Sequence, residues 1–294
     1  MNVIVTKRDV PCSLEDFLKF NLQFSKRFIR KLKTTEGCLH VNGASARVID
    51  PLSVGDEVCI EFPSENRSKH IIPENIPLSI VYEDNDLLIL DKEEGVTMSP
   101  SPQHPSGTLA NRIVHYYNLH KLPYTVHFVT RLDRDTSGLV IVAKHRHMHA
   151  LLNKALENNE IIRTYKAIVY GKLKEPIGII DKPIAQKPGS MIERIVDVSG
   201  QHARTHYTVH QCLVGFSYIS VQLETGRTHQ IRVHFSHIGH PLVGDTLYGG
   251  EIGEMNKQAL HCSTIKFIHP QTQESLTFQS PVRKEMSQFI QQHG

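Results

Sequence analysis

Residues 131–137, R-L-D-R-D-T-S, place two carboxylates, two guanidinium groups and two hydroxyls within one short run. Such side chains favour turns and local hydrogen bonds over regular structure. Gly138 then opens the apolar, β-branched stretch 139–143, which has the pattern of a buried strand. A charged loop held against a buried strand keeps its polar groups reachable while its position is fixed. Asp133 is therefore the candidate reactive carboxylate. The competing reading is a structural turn in which Asp133 and Asp135 simply pair with Arg131 and Arg134.

A second chemically loaded segment is E-T-G-R-T-H-Q-I-R-V-H-F-S-H-I-G-H-P at 224–241. Ile231, Phe235 and Ile238 have helical spacing, Thr228 is a fitting N-cap, Gly239 suits a left-handed C-cap and Pro241 lies just beyond. The spacing predicts a helix over 228–238. Arg227 then stands at its N-terminal entrance, where free backbone N–H groups favour anions, and Arg232 lies one turn inside. His229, His234, His237 and His240 match none of the usual helical zinc spacings, so phosphate contact or helix packing ranks above metal binding.

The elements that must position these segments are bounded by composition. A chain of 294 residues, 39% of them hydrophobic, can bury one large core and a small one. A formal net charge of +3 identifies no partner by itself, so charge distribution carries the information. Five scattered cysteines with no C-x-x-C pair suit a reducing cytosol and argue against a disulfide framework or zinc ribbon. No apolar stretch is long enough to span a bilayer, and the N-terminus lacks a signal-peptide pattern. Neither a Walker loop nor a G-x-G-x-x-G fingerprint is present. The expectation is a soluble cytoplasmic protein.

Residues 12–62 read as a compact module. Ser13 can cap a helix carrying Leu14, Phe17 and Leu18, and a second helix near Ser25 aligns Phe24, Phe28 and Leu32. Lys26, Arg27, Arg30 and Lys31 fall beside or opposite that stripe, with no acidic residue nearby, forming a basic face. A Pro-, Ser- and Asn-rich linker at 63–77 places a domain boundary near Lys69. Beyond it the pattern predicts a hairpin (80–82 and 87–90), a helix from about Thr108 presenting Leu109, Ile113 and Tyr116, and an amphipathic helix through Met148 and Leu152. A strand at 164–170 sets Tyr165, Ala167 and Val169 on one face, and a second hairpin spans 205–211 and 216–223.

Two family resemblances join these pieces. L-H-V-N-G at 39–43 and L-S-V-G-D-E-V at 52–58 resemble the S4-like RNA-binding module. R-L-D-R-D-T-S-G at 131–138 and T-G-R-T-H-Q-I-R-V-H at 225–234 resemble the signature segments of the RluA/RluD-type pseudouridine synthases. Y-E-D-N-D-L-L-I-L-D-K-E-E-G at 82–95, T-Y-K-A-I-V-Y-G at 164–171 and I-G-H-P-L-V-G-D-T-L-Y-G at 238–249 extend that match in the same order.

The resemblance implies an α+β protein. Residues 70–294 would form a catalytic domain with a mixed, mainly antiparallel sheet flanked by helices, and residues 1–69 a small S4-like α/β RNA-binding domain with the start of the linker. It implies isomerisation of specific uridines in structured RNA by a monomer without a cofactor or metal, with ribosomal RNA favoured and transfer RNA the other candidate. Asp133 matches the nucleophilic aspartate, Arg232 its ion-pair partner and Tyr165 the ring that stacks on the target uracil. An adjacent guanidinium would keep Asp133 ionised. Arg131 matches a residue that holds RNA, and Arg227 with Lys26, Arg27, Arg30 and Lys31 supplies further RNA contacts. Thr130 stands where the family usually carries histidine. The rival readings are an RNA-binding protein of the same fold without activity, and a nucleoside or glycoside hydrolase using Asp133 and Asp135.

Overall fold

The strand after the acidic loop runs Ser137–Ala143, and all of it is buried. With both faces covered, its sequence is a continuous apolar run rather than an alternation. The computed structural model describes residues 1–294 apart from Ser64, Asn66, Lys69, Ile252 and Glu254. The boundary expected at Lys69 thus lies outside the described residues. The Ser137–Ala143 strand pairs antiparallel with Leu87–Lys92 and parallel with Leu260–Ile268. It lies within a ten-stranded mixed sheet whose other pairings are antiparallel among the described residues.

From one edge the order is Ile177–Asp181, Arg204–Leu213, Phe216–Leu223, Ile162–Tyr170, Leu260–Ile268, Ser137–Ala143, Leu87–Lys92 and Ile80–Glu83. Helices Leu109–Leu119 and Arg146–Glu157 add Leu109, Ile113, Tyr117, Met148 and Leu152 to the core. The expected Tyr116 packs partly buried against this core and directs its hydroxyl to Glu83, while Tyr117 of the same helix is fully buried.

Gly138 explains how the acidic loop can enter this sheet. Its φ is +109°, and a Cβ there would lie 2.3 Å from the Cys262 carbonyl oxygen, so only glycine permits the parallel approach. Three further restraints fix the loop. Thr136 N–H donates to the Asp133 carbonyl at 3.1 Å, and Ile141 N–H donates to Thr130 Oγ1 at 2.9 Å. The buried Lys92 ammonium donates to the carbonyls of Glu93, Val96 and Arg134 at 2.9, 2.9 and 3.0 Å. Thr130 thus has a definite local use in its place: its short hydroxyl holds the loop to the strand.

Residues near the N-terminus form a separate sheet, in the order Asn2–Ile4, Glu57–Ile60, Leu39–Val41 and Ala44–Ser45. Its core includes Leu14, Phe17, Leu18, Phe24, Ile29 and Leu32; each such side chain gains about 1.5–3 kcal/mol on burial. The first strand precedes the module's expected start at residue 12. Ser25 caps helix Lys26–Thr34, its Oγ accepting from Phe28 N–H at 3.2 Å, and Lys26, Arg27, Arg30 and Lys31 are exposed.

The module sits against helix Arg146–Glu157. The Phe24 and His147 rings have centroids 4.0 Å apart, and Phe62 stacks on His145 at 4.2 Å. Within the expected linker, Glu65 Oε2 meets His127 Nε2 at 2.6 Å, Arg146 N–H donates to Glu65 Oε1 at 3.0 Å, and Arg67 Nε donates to the Tyr124 carbonyl at 2.7 Å. No helix among the described residues is long and apolar enough to cross a membrane.

Candidate active site

The loop ahead of Ser137–Ala143, the strand Ile162–Tyr170 and the segment leading into helix Gln230–His237 meet at a cleft of about 530 Å³. Asp133, Tyr165 and Arg232 all line it, as do Arg131 and Arg227. Lys26, Arg27, Arg30 and Lys31 do not line it. Arg131 is exposed, and Arg227 Nε donates to the His202 carbonyl at 3.0 Å.

Arg232 is the electrostatic centre of the site. Its Nη1 donates to Asp133 Oδ2 at 3.1 Å, while Nε and Nη2 donate to the two oxygens of Asp245 at 2.7 and 2.8 Å. Asp245 is only 1% exposed. The paired geometry fixes the guanidinium plane and leaves one edge for Asp133. Burial alone would pull the arginine pKa down, but the hydrogen bonds and charge of Asp245, then Asp133, outweigh it and raise the pKa above the ordinary value. The Asp133 side chain remains 27% exposed, so it has both a fixed partner and access to the cleft. Asp135 behaves differently, pairing with Arg134 at 2.8 Å and Lys257 at 3.2 Å. The structural-turn reading thus describes Asp135 and fails for Asp133.

Tyr165 is 5% exposed, with its ring forming cleft wall and core together. Burial first, with the Asp133 charge adding to it, pushes its phenol pKa up, so the ring stays neutral. A β-bulge lies beside it: Thr164 pairs with Thr264 but Tyr165 with Cys262, leaving Ser263 as the extra residue. Bulges of this kind re-aim neighbouring side chains.

The helix begins at Gln230 and Thr228 does not cap it, contrary to expectation. His229 holds the N-cap position in the left-handed region (φ 57°), where no local turn geometry in the sequence announced it. Gln230 Oε1 instead accepts from Arg227 N–H at 3.0 Å and from the Thr225 hydroxyl at 2.8 Å. The C-terminal expectation holds: Gly239 has φ +82°, its N–H donates to the Ser236 carbonyl at 3.0 Å, and His240 N–H donates to that of Phe235 at 2.9 Å.

The strained His229 faces Asp133, with Nε2 3.8 Å from Oδ2. Arg194 N–H donates to the Tyr248 hydroxyl oxygen at 2.9 Å, and the same hydroxyl lies 2.8 Å from His229 Nδ1. Burial keeps His229 below its ordinary pKa despite Asp133, which favours the neutral ring. Two of the other histidines of the segment go elsewhere: His234 meets Thr205 Oγ1 and the Lys182 carbonyl, and His240 meets the Tyr170 carbonyl.

Asp245, Tyr248 and the orientation of His229 were missed from sequence. The available signal was the V-G-D-T-L-Y-G run, which a buried arginine needing more than one carboxylate would have singled out.

A family model for RNA pseudouridylate synthase matches residues 86–237. An uncharacterized RNA pseudouridine synthase of Bacillus subtilis, YjbO, is 45% identical over 269 residues, covering 92% of this chain and 95% of that one. Ribosomal large subunit pseudouridine synthase D of Escherichia coli is 34% identical over 251 residues, covering 81% and 76%. The solved structure of human RNA pseudouridylate synthase domain containing 1 shares the fold at a TM-score of 0.58 and 23% identity, covering 74% of this chain and 94% of that one. The chain belongs to the RNA pseudouridylate synthase family, within its RluA/RluD type. Its activity is isomerisation of uridine to pseudouridine in RNA.

Proposed function

We propose that Asp133 is the catalytic nucleophile of this isomerase, that Arg232 holds it, and that Tyr165 is the platform for an extruded uracil. The reaction breaks the N1–C1′ bond, turns the base, joins C5 to C1′, removes the C5 proton and leaves a proton on N1. Positive character at the sugar as the first bond breaks calls for a fixed carboxylate, and a base free to turn calls for a flat, enclosed wall. The observation carrying this reading is that Arg232 joins Asp133 to a buried second carboxylate on the wall shared with Tyr165. The target must leave its stack to reach such a wall.

Arg131 and Arg227 are assigned to the RNA backbone at the mouth. The exposed basic helix, with Lys26, Arg27, Arg30 and Lys31, is assigned to an S4-like RNA-binding module spanning 1–69, ahead of a catalytic domain at 70–294. Similarity to the large-subunit enzyme of Escherichia coli favours ribosomal RNA over transfer RNA as substrate. A monomer in the cytoplasm fits the thiol pattern and the self-contained cleft.

The test uses RNA labelled with tritium at uracil C5, taken from a strain lacking this gene so that the target remains unmodified. Wild-type protein should release tritium and Asp133→Asn should not. Equal release by the variant would overturn the assignment of Asp133, and free uracil as product would replace isomerisation by hydrolysis. Mapping the modified positions then identifies the RNA.

A further inference from the structure

Arg163 is a buried cation to which nothing above gives a use. It is 8% exposed and lines the cleft, yet among the described residues no hydrogen bond or ion pair engages its side chain, and its Nε is buried without a partner. The carboxylates near it do not explain it: Asp133 belongs to Arg232, and Glu224 is taken by His206 and Arg204. Glu157 also lines the cleft but is exposed at its rim. A buried guanidinium without a counter-charge is costly, and an anionic ligand would offset that cost.

Its placement says which anion. Arg163 and Tyr165 occupy the same face of strand Ile162–Tyr170, separated by the two-residue repeat of about 6.7 Å. A uracil lying on Tyr165 therefore sets its ribose along the strand and a flanking phosphate beside Arg163. Gly226 leaves the outer end of Arg163 uncrowded: a Cβ there would sit in van der Waals contact, 3.5 and 3.6 Å from its two terminal nitrogens. Guanidinium is also the side chain suited to bidentate phosphate binding.

We propose that Arg163 binds the backbone phosphate next to the target uridine, making the cleft selective for a nucleotide within a chain over free uridine. This rests on the reading of Tyr165 as the uracil platform. It differs from the roles given to Arg131 and Arg227, which are both exposed at the mouth.

Uridine, uridine 5′-monophosphate and uridine 3′-monophosphate, titrated separately into the full-length protein, test it by isothermal calorimetry or chemical-shift perturbation. Wild type should bind at least one monophosphate roughly tenfold more tightly than uridine. Arg163→Gln should bind all three alike while keeping the uridine affinity, and Arg163→Lys should keep part of the preference. Absence of a preference in wild type, or the same preference in Arg163→Gln, overturns the proposal. So does loss of uridine binding and thermal stability together in Arg163→Gln, because that marks a fold-supporting role.

With the labelled RNA, Arg163→Gln should raise KM roughly tenfold and leave kcat nearly alone; a loss confined to kcat counts against a phosphate clamp. Tyr165→Leu tests the underlying reading separately. If that variant binds uridine as wild type does, the platform assignment fails whatever Arg163 does.

Discussion

In the cleft, Arg232 is buried with all three of its nitrogens committed to Asp133 and Asp245, whereas Lys26, Arg27, Arg30 and Lys31 stand exposed along helix Lys26–Thr34. Both regions are basic, but the physics differs. A buried pair owes its value to fixed geometry, and removing one partner leaves an uncompensated charge. Exposed cations hold no geometry; they act together through a screened field that strengthens as salt is lowered. In the proposed function the two regions would divide the work into placing one carboxylate and gathering a polyanion.

Four measurements can break or sharpen that division. The largest effect is expected for Asp133→Asn, which should cost roughly a thousandfold or more in kcat while leaving RNA affinity nearly unchanged, as read by tritium release and filter binding. Next comes Asp245→Ala. Freeing Arg232 from its buried partner should destabilise the protein by about 3–5 kcal/mol in denaturant unfolding and lower kcat as well. A variant as stable and as active as wild type would show that the guanidinium is held by something other than this carboxylate.

Replacing Lys26, Arg27, Arg30 and Lys31 together by glutamine should act in the opposite register. It should leave kcat alone and reduce the slope of log affinity against log salt by up to about three, at roughly 0.7 per lost phosphate contact. An unchanged slope removes this helix from the RNA interface.

The smallest effect concerns the seam between the regions. His147 is packed against Phe24, and burial, then the neighbouring His145, pulls its pKa down to about 3. The docked module therefore holds a neutral ring where the released one would bind a proton. Docking is strongest above the ordinary histidine pKa of about 6.5 and weakens by about 1.4 kcal/mol per pH unit as pH falls below it towards 3. Protection factors across residues 145–149, which divide out the intrinsic pH dependence of amide exchange, should thus fall at pH 5.5 relative to 7.5. His147→Leu should remove that dependence.

Much of this architecture was legible because period and turn chemistry agree with tertiary burial at the same positions. The Ser137–Ala143 strand, the hairpin Arg204–Leu213 with Phe216–Leu223 and the Gly239 cap all show that agreement. The start of the second signature helix was not legible, because Thr228 is a good cap by type while the native entry uses a left-handed His229 and a side-chain bridge from Gln230. Tertiary demand overrode local preference there. Asp133 was singled out from its charged loop, but its grouping with Tyr165 and Arg232 came through motif resemblance, because no local pattern joins residues so far apart. Asp245 and Arg163 escaped because their meaning depends on who else is buried beside them: one satisfies a guanidinium and the other leaves one unsatisfied.

The planar grip of Asp245 on Arg232 has a consequence for how the enzyme meets its substrate. With two parallel bonds locking the guanidinium from below, the direction in which it presents its remaining edge is settled when the chain folds, before any RNA arrives. In the proposed function, encounter need not assemble this part of the machinery, and the anchored pair would serve as a stationary reference against which an incoming nucleotide is aligned.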